Sequence, residues 1–119
     1  MIELLPETAG RLIALKMSGT VTEEDQDQTF ERAGVILEAE RVEHLLLDWE
    51  DLDGWAKGAR SSGTWFGLHH RALIGRVAII AEDKWAEEAM RISDIFQAVP
   101  VRRFLPAERV DAFAWINEE

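Results

Sequence analysis

The chain contains no cysteine and no tyrosine. Without cysteine there are no disulfides, no thiolate metal sites and no cysteine nucleophile, and nothing argues for an oxidising compartment. No apolar run approaches the roughly 20 residues that a membrane span requires. The first nine residues carry Glu3 and Glu7, lack a basic stretch and are apolar only briefly, so no signal peptide is expected there. The expectation is a soluble, cytoplasmic protein with at most transient membrane contact. Basic residues are scarce: 13 Lys and Arg stand against 23 Asp and Glu, a formal charge of −10. That balance argues against nucleic acid as a partner, because phosphate binding needs clustered cations.

With 119 residues and 47% hydrophobic content, the chain fits one domain able to bury a core without staples, and one domain over 1–119 is expected. The excess of acidic over basic residues is confined to the front. Residues 1–55 hold 4 basic and 14 acidic side chains, whereas residues 56–119 hold 9 of each. Such an asymmetry serves either as a solubilising surface or as a face for a basic partner.

The centre of the pattern is His44-Leu-Leu-Leu-Asp-Trp-Glu-Asp-Leu-Asp-Gly-Trp55. Leu45, Leu46 and Leu47 are apolar without alternation, as in a strand covered on both faces, and Asp48 to Gly54 reads as an acidic loop at its carboxyl end. In open α/β sheets that edge is where ligands sit. Upstream, Ile2–Leu5 and Arg11–Met17 form a hairpin pattern, with Gly19 and Thr20 ending the second strand. Thr22 followed by Glu23, Glu24 and Asp25 marks a helix start, and Phe30, Ala33, Ile36 and Leu37 form its inward stripe.

Downstream, Trp55 to about Arg71 is helical in pattern but interrupted by Gly58, Gly63 and Gly67, each costing about 1 kcal/mol relative to Ala inside a helix. Large flat side chains lie among them, and the segment is expected to move. Arg76–Ala81, with Val77, Ala78, Ile79 and Ile80, is another strand apolar on both faces; Asp83 is expected to cap a third helix with Trp85, Ala89, Ile92 and Phe96 in one stripe. Ala98–Phe104 gives a last strand. Pro106 opens a last helix carrying Val110, Phe113, Ala114 and Trp115. The order β-β-α-β-α-β-α-β-α predicts the α/β class: a single mixed, mostly parallel sheet of about five strands with helices packed on it and the first strand antiparallel at an edge.

Specific chemistry is not spelled out. Asp48, Glu50, Asp51 and Asp53 are oxygen donors for a hard cation, but an EF-hand register centred on Gly54 puts Trp49 first and Arg60 twelfth, where carboxylates are required. No nucleophile or oxyanion device accompanies them. His69 and His70 point about 100° apart on a helix and do not share a metal, and His44 stands alone. No nucleotide-binding glycine motif is present. No cofactor, metal or catalytic residue is therefore expected. The five tryptophans stand out. Trp85 and Trp115 fit core stripes, while Trp55 and Trp65 flank the glycine-bearing segment and could line an apolar cavity under a movable lid.

Five stretches together carry a family resemblance: Met17-Ser-Gly-Thr-Val-Thr-Glu-Glu-Asp25, Leu45-Leu-Leu-Asp48 with Gly54-Trp55, Val77-Ala-Ile-Ile-Ala-Glu-Asp-Lys-Trp85, Val101-Arg-Arg-Phe104 and Ala112-Phe-Ala-Trp115. In this order they resemble the SpoIIAA-like family of the STAS superfamily. The resemblance implies a fold similar to anti-sigma-factor antagonists and to the lipid-binding CRAL-TRIO fold. Antagonists carry a phosphorylatable hydroxyl after the third strand; residues 48–60 contain no Ser or Thr, and Ser61 and Ser62 come too late to align. Two functions are expected, neither enzymatic. In the first, a lipophilic small molecule sits between the 55–70 segment and the sheet, bound by Asp48, Trp55, Gly58, Trp65, Phe66 and His69, with Arg60, Arg71 or Arg76 available to an anionic head group. In the second, Asp48–Trp55 and the helix expected after it present a surface to a regulatory protein or to a second copy in a homodimer.

Overall fold

The computed structural model describes residues 1–8, 12–40, 44–57, 59, 74–96 and 99–118, with backbone only at 36–40. In chain order the elements are β1 (Ile2–Leu4), β2 (Leu12–Val21), α1 (Glu23–Glu40), β3 (His44–Trp55), β4 (Arg76–Ile80), a 3-10 turn (Asp83–Trp85), α2 (Ala86–Ile95), β5 (Val101–Phe104), a second 3-10 turn (Pro106–Glu108) and α3 (Arg109–Ile116). The five strands form one sheet in the order β1-β2-β3-β4-β5. β1 runs antiparallel to β2, and every other pairing is parallel. This is the mixed, mostly parallel sheet that the alternation of elements predicts. The helical segment expected from Trp55 does not start there, because Trp55 is still paired with β2 as the last residue of β3; apart from residues 56, 57 and 59, the rest of that segment lies outside the described residues.

The sheet is apolar on both faces because it is covered on both. On one, Ile13, Leu15 and Met17 of β2, Leu45, Leu47 and Trp49 of β3, and Val77 and Ile79 of β4 pack with Ala33 of α1 and Ala89 and Ile95 of α2. On the other, Leu12, Ala14, Leu46, Ala78, Ile80 and Phe104 pack with Ala112 and Ile116 of α3. Leu45, Leu46 and Leu47 thus alternate between two cores, which is why their run shows no period.

Local signals account for the helix ends. Thr22 Oγ1 accepts from Asp25 N–H at 3.1 Å while Asp25 Oδ2 accepts from Thr22 N–H at 3.1 Å. Two donors that a helix start leaves open are satisfied reciprocally. Asp83 does not cap as expected: Glu82 occupies the cap position without a side-chain bond, and Asp83 instead pairs with Arg103 at 3.1 Å. Pro106 opens a 3-10 turn whose Glu108 carboxylate accepts from Leu105 N–H at 2.9 Å, and α3 continues from it. The inward face of α3 is Ala112 and Ile116, flanked by Phe113 and Trp115; Val110, expected in the apolar stripe, is 82% exposed, and Ala114 faces solvent. In α2 the predicted stripe holds, with Ala89 and Phe96 buried and Trp85 and Ile92 packed against them.

Candidate functional site

The acidic stretch after Leu47 is strand, not loop. β3 continues to Trp55, and the reason lies in its pairing with β2. Lys16 aligns with Asp48 but Ser18 with Asp51, and Gly19 aligns with Leu52 but Thr20 with Gly54. Each shift inserts one extra residue into β3, a bulge that turns the following side chains over. Trp49 and Leu52, three residues apart, therefore both enter the α1/α2 core, while Glu50, Asp51 and Asp53 remain exposed. The opposing Gly19 has φ +62°, the left-handed region where a side chain is strained.

Asp48 is the hinge of this arrangement. It is 1% exposed. Its Oδ1 accepts from Glu50 N–H at 3.0 Å, satisfying a donor at the bulge, and its Oδ2 accepts from Arg109 Nη1. Arg109 also faces Glu7 at 3.7 Å and stacks over Phe113, 5.2 Å from the ring centre. Partial burial pulls the Arg109 guanidinium down, but the bond and charge of Asp48, with Glu7 and Glu50 behind it, hold it above its ordinary value. Lys16 is likewise raised, first by its bond to Asp51 at 2.8 Å. Buried Asp48 and half-buried Arg109 thus form a charge pair that ties α3 to the sheet, with both carboxylate oxygens of Asp48 engaged.

Trp55 lies on the opposite face from Asp48, so these two predicted ligand residues are not brought together. Trp55 stands edge-on to Trp49 at 5.2 Å and to Trp85 at 5.3 Å. Such contacts contribute about 0.5–1.5 kcal/mol each beyond burial. The indole N–H groups of Trp49 and Trp85 are buried without an acceptor among the described residues. Beside them, Met17, Gln26, Phe30, Leu47, Trp49 and Ile92 help to line a cavity of about 40 Å³. Gly58, Trp65, Phe66 and His69 lie outside the described residues, as do Arg60 and Arg71. The flanking chain is anchored: Gln26 Nε2 donates to Ala59 O, and both residues are buried, as is Ile74. Arg76 spends its guanidinium on Trp115 O at 3.0 Å and Glu118 O at 2.6 Å.

Among the described residues no group of three His, Cys, Asp or Glu is placed to hold a metal, and no helix is long and apolar enough to cross a membrane. The residue that sequence reasoning missed is Arg109. A signal was present, since a cation in the first turn of a helix opposes the helix dipole and calls for nearby carboxylates.

The fold has known counterparts. An uncharacterised DUF3478-family protein with a SpoIIAA-like fold from Shewanella loihica PV-4 is 27% identical, with a TM-score of 0.75 over 98% of this chain and 92% of that one. The anti-sigma factor antagonist SpoIIAA in its unphosphorylated form is similar at 16% identity and a TM-score of 0.64, over 96% of this chain and 98% of that one. The Bacillus cell fate determinant SpoIIAA in its phosphorylated form is similar at 11% identity and a TM-score of 0.67, over 93% and 97%. No protein with a curated description matches. The SpoIIAA-like family profile matches residues 12–117, so the chain belongs to the SpoIIAA-like family, with the sheet and helices of a STAS fold.

Proposed function

We propose that this chain is a non-enzymatic, regulatory protein-interaction module whose contact surface is the carboxyl edge of β2 and β3. The observation that carries this reading is the placement of Glu50, Asp51 and Asp53: exposed carboxylates held on a paired strand backed by buried Trp49 and Leu52. Charges on such a support are ordered before a partner arrives, which lowers the cost of binding. Glu23 and Glu24 at the start of α1 are exposed on the same edge. The partner class this favours is a protein with a basic face.

The similarity to an anti-sigma factor antagonist supports an interaction role through the fold. With no Ser or Thr between residues 48 and 60, the contact is not switched by phosphorylation there. The lipophilic-ligand reading has less support. The cavity beside Trp49 and Trp55, at about 40 Å³, has room for about three waters, against the roughly 300–1,000 Å³ of ordinary ligand pockets. A second copy as partner would set acidic edge against acidic edge.

The test compares protein captured from the native source by the wild-type chain and by Glu50→Lys/Asp51→Lys/Asp53→Lys. A partner that binds the edge falls at least about tenfold in recovery with the variant, as expected when complementary charges turn repulsive. Equal recovery of every captured protein would refute the assignment.

A further inference from the structure

At the other end of the sheet, β5 is the terminal strand among the described residues, and it is basic where β3 is acidic. The carbonyls of Pro100 and Phe104 accept from Val77 N–H at 3.0 Å and Ala81 N–H at 2.8 Å. Alternate residues of a parallel strand turn to the same neighbour. Pro100, Arg102 and Phe104 thus address β4, and the backbone groups of Val101 and Arg103 face outward.

The two arginines are not alike. Arg103 lies on the α2 face and is committed, donating to Ala81 O at 3.0 Å and to Asp83 at 3.1 Å. Arg102 lies on the α3 face, pairs in register with Ala78 and is exposed. Its guanidinium sits 4.7 Å from the Phe104 ring centre and 5.5 Å from that of Trp115, and it has no ion pair among the described residues. Two rings hold a planar, five-donor fork beside a strand edge that no other strand pairs with among the described residues.

We infer that the β5 edge takes an extended acidic segment of a partner protein as an added strand, with Val101 and Arg103 supplying the main-chain bonds and Arg102 receiving a carboxylate on the α3 face. Strand addition draws affinity from the main chain and specificity from alternate side chains. Charge complementarity selects the occupant, since a carboxylate on the α3 face meets Arg102, whose charge no described carboxylate neutralises, whereas Arg103 on the other face is already paired with Asp83. The opposite edge strand discriminates against the same segment, because β1 carries Glu3, and Glu7 follows it. This surface is separate from the acidic edge of β2 and β3.

The probe is a blocked peptide alternating glutamate and valine, titrated into the ¹⁵N-labelled full chain. Amide shifts centred on Val101 and Arg103 are expected, weakening as salt rises. Arg102→Glu is expected to lower affinity at least about tenfold, and Arg102→Lys, which keeps the charge but loses the planar fork, to fall between. Because Arg102 is exposed, retained spectral dispersion verifies the fold of each variant. No shift at millimolar peptide, shifts centred on β1, or an unchanged affinity in Arg102→Glu would overturn the inference. So would oligouridylate moving the same amides as strongly, or the same amides shifting with protein concentration alone, which would assign the edge to nucleic acid or to a second copy.

Discussion

The two halves of β3 are built on different rules. From His44 to Asp48 the strand is paired on both sides, with β2 and with β4, and its side chains enter two cores. From Trp49 to Trp55 its described pairing is with β2 alone, through two bulges, and one side is buried while Glu50, Asp51 and Asp53 meet water. The first half positions the fold, and the second presents charge. A strand can carry an ordered polar surface where it outruns one neighbour, provided that bulges keep its apolar side chains on a single face.

The strongest challenge to this comparison is to empty the core beneath the second half. Trp49→Ala should cost about 3–5 kcal/mol, comparable with about 2–5 kcal/mol for Leu47→Ala in the first half. Urea unfolding of both variants measures this, and a cost well below 1 kcal/mol for Trp49→Ala would mean that the second half is not a packed strand.

Asp48 joins the halves. Asp48→Ala leaves the Glu50 N–H without its acceptor and Arg109 with only the more distant Glu7 carboxylate, and a loss of about 1–3 kcal/mol is expected. Asp48→Asn keeps an acceptor for Glu50 N–H and should cost less; equal losses would show that the bulge bond contributes nothing.

A further substitution acts beyond the end of β2. Thr22→Ala should cost about 1 kcal/mol by removing the cap of α1. Asp25 is held below its usual range, first by its bond from Thr22 N–H. A carboxylate lowered in the folded state stabilises above its unfolded pKa, and that stabilisation is lost as pH falls through the folded value. Asp25→Asn should accordingly flatten the acid limb of the stability profile, and an unchanged limb would contradict it.

The smallest effect falls on the exposed Lys16–Asp51 pair. Asp51→Asn should change stability by less than about 1 kcal/mol. Lys16 is raised in the folded state, so the pair's contribution is complete below the unfolded lysine value and is lost as pH rises through the folded one. A melting series on the alkaline side, compared between wild type and variant, reads it.

Most of the sheet was legible because hydrophobic runs and helix starts are local. Leu45–Leu47, Val77–Ile80 and the Thr22 cap depend on neighbours a few residues away. The extent of β3 was not, because Trp-Glu-Asp-Leu does not alternate, and only the register against β2 shows the extra residue that restores one face. The Asp48–Arg109 pair was not legible either, since it joins residues 61 apart in sequence. Acidity suggested solvent for Asp48, whereas a cation delivered by α3 made burial affordable. The exposure of Val110 escaped for a simpler reason: α3 is only 8 residues long, and Ala112 and Ile116 suffice to seat it.

The central claim is that the second half of β3 is a protein-contact surface. It is tested most directly by placing a photo-crosslinking residue at Asp53, and separately at exposed Glu87 on α2, in cells of the native source. The account predicts a discrete protein adduct from position 53, none from position 87, and loss of the adduct when Glu50 and Asp51 become lysine. No protein adduct at position 53, or one indifferent to those charges, would contradict it.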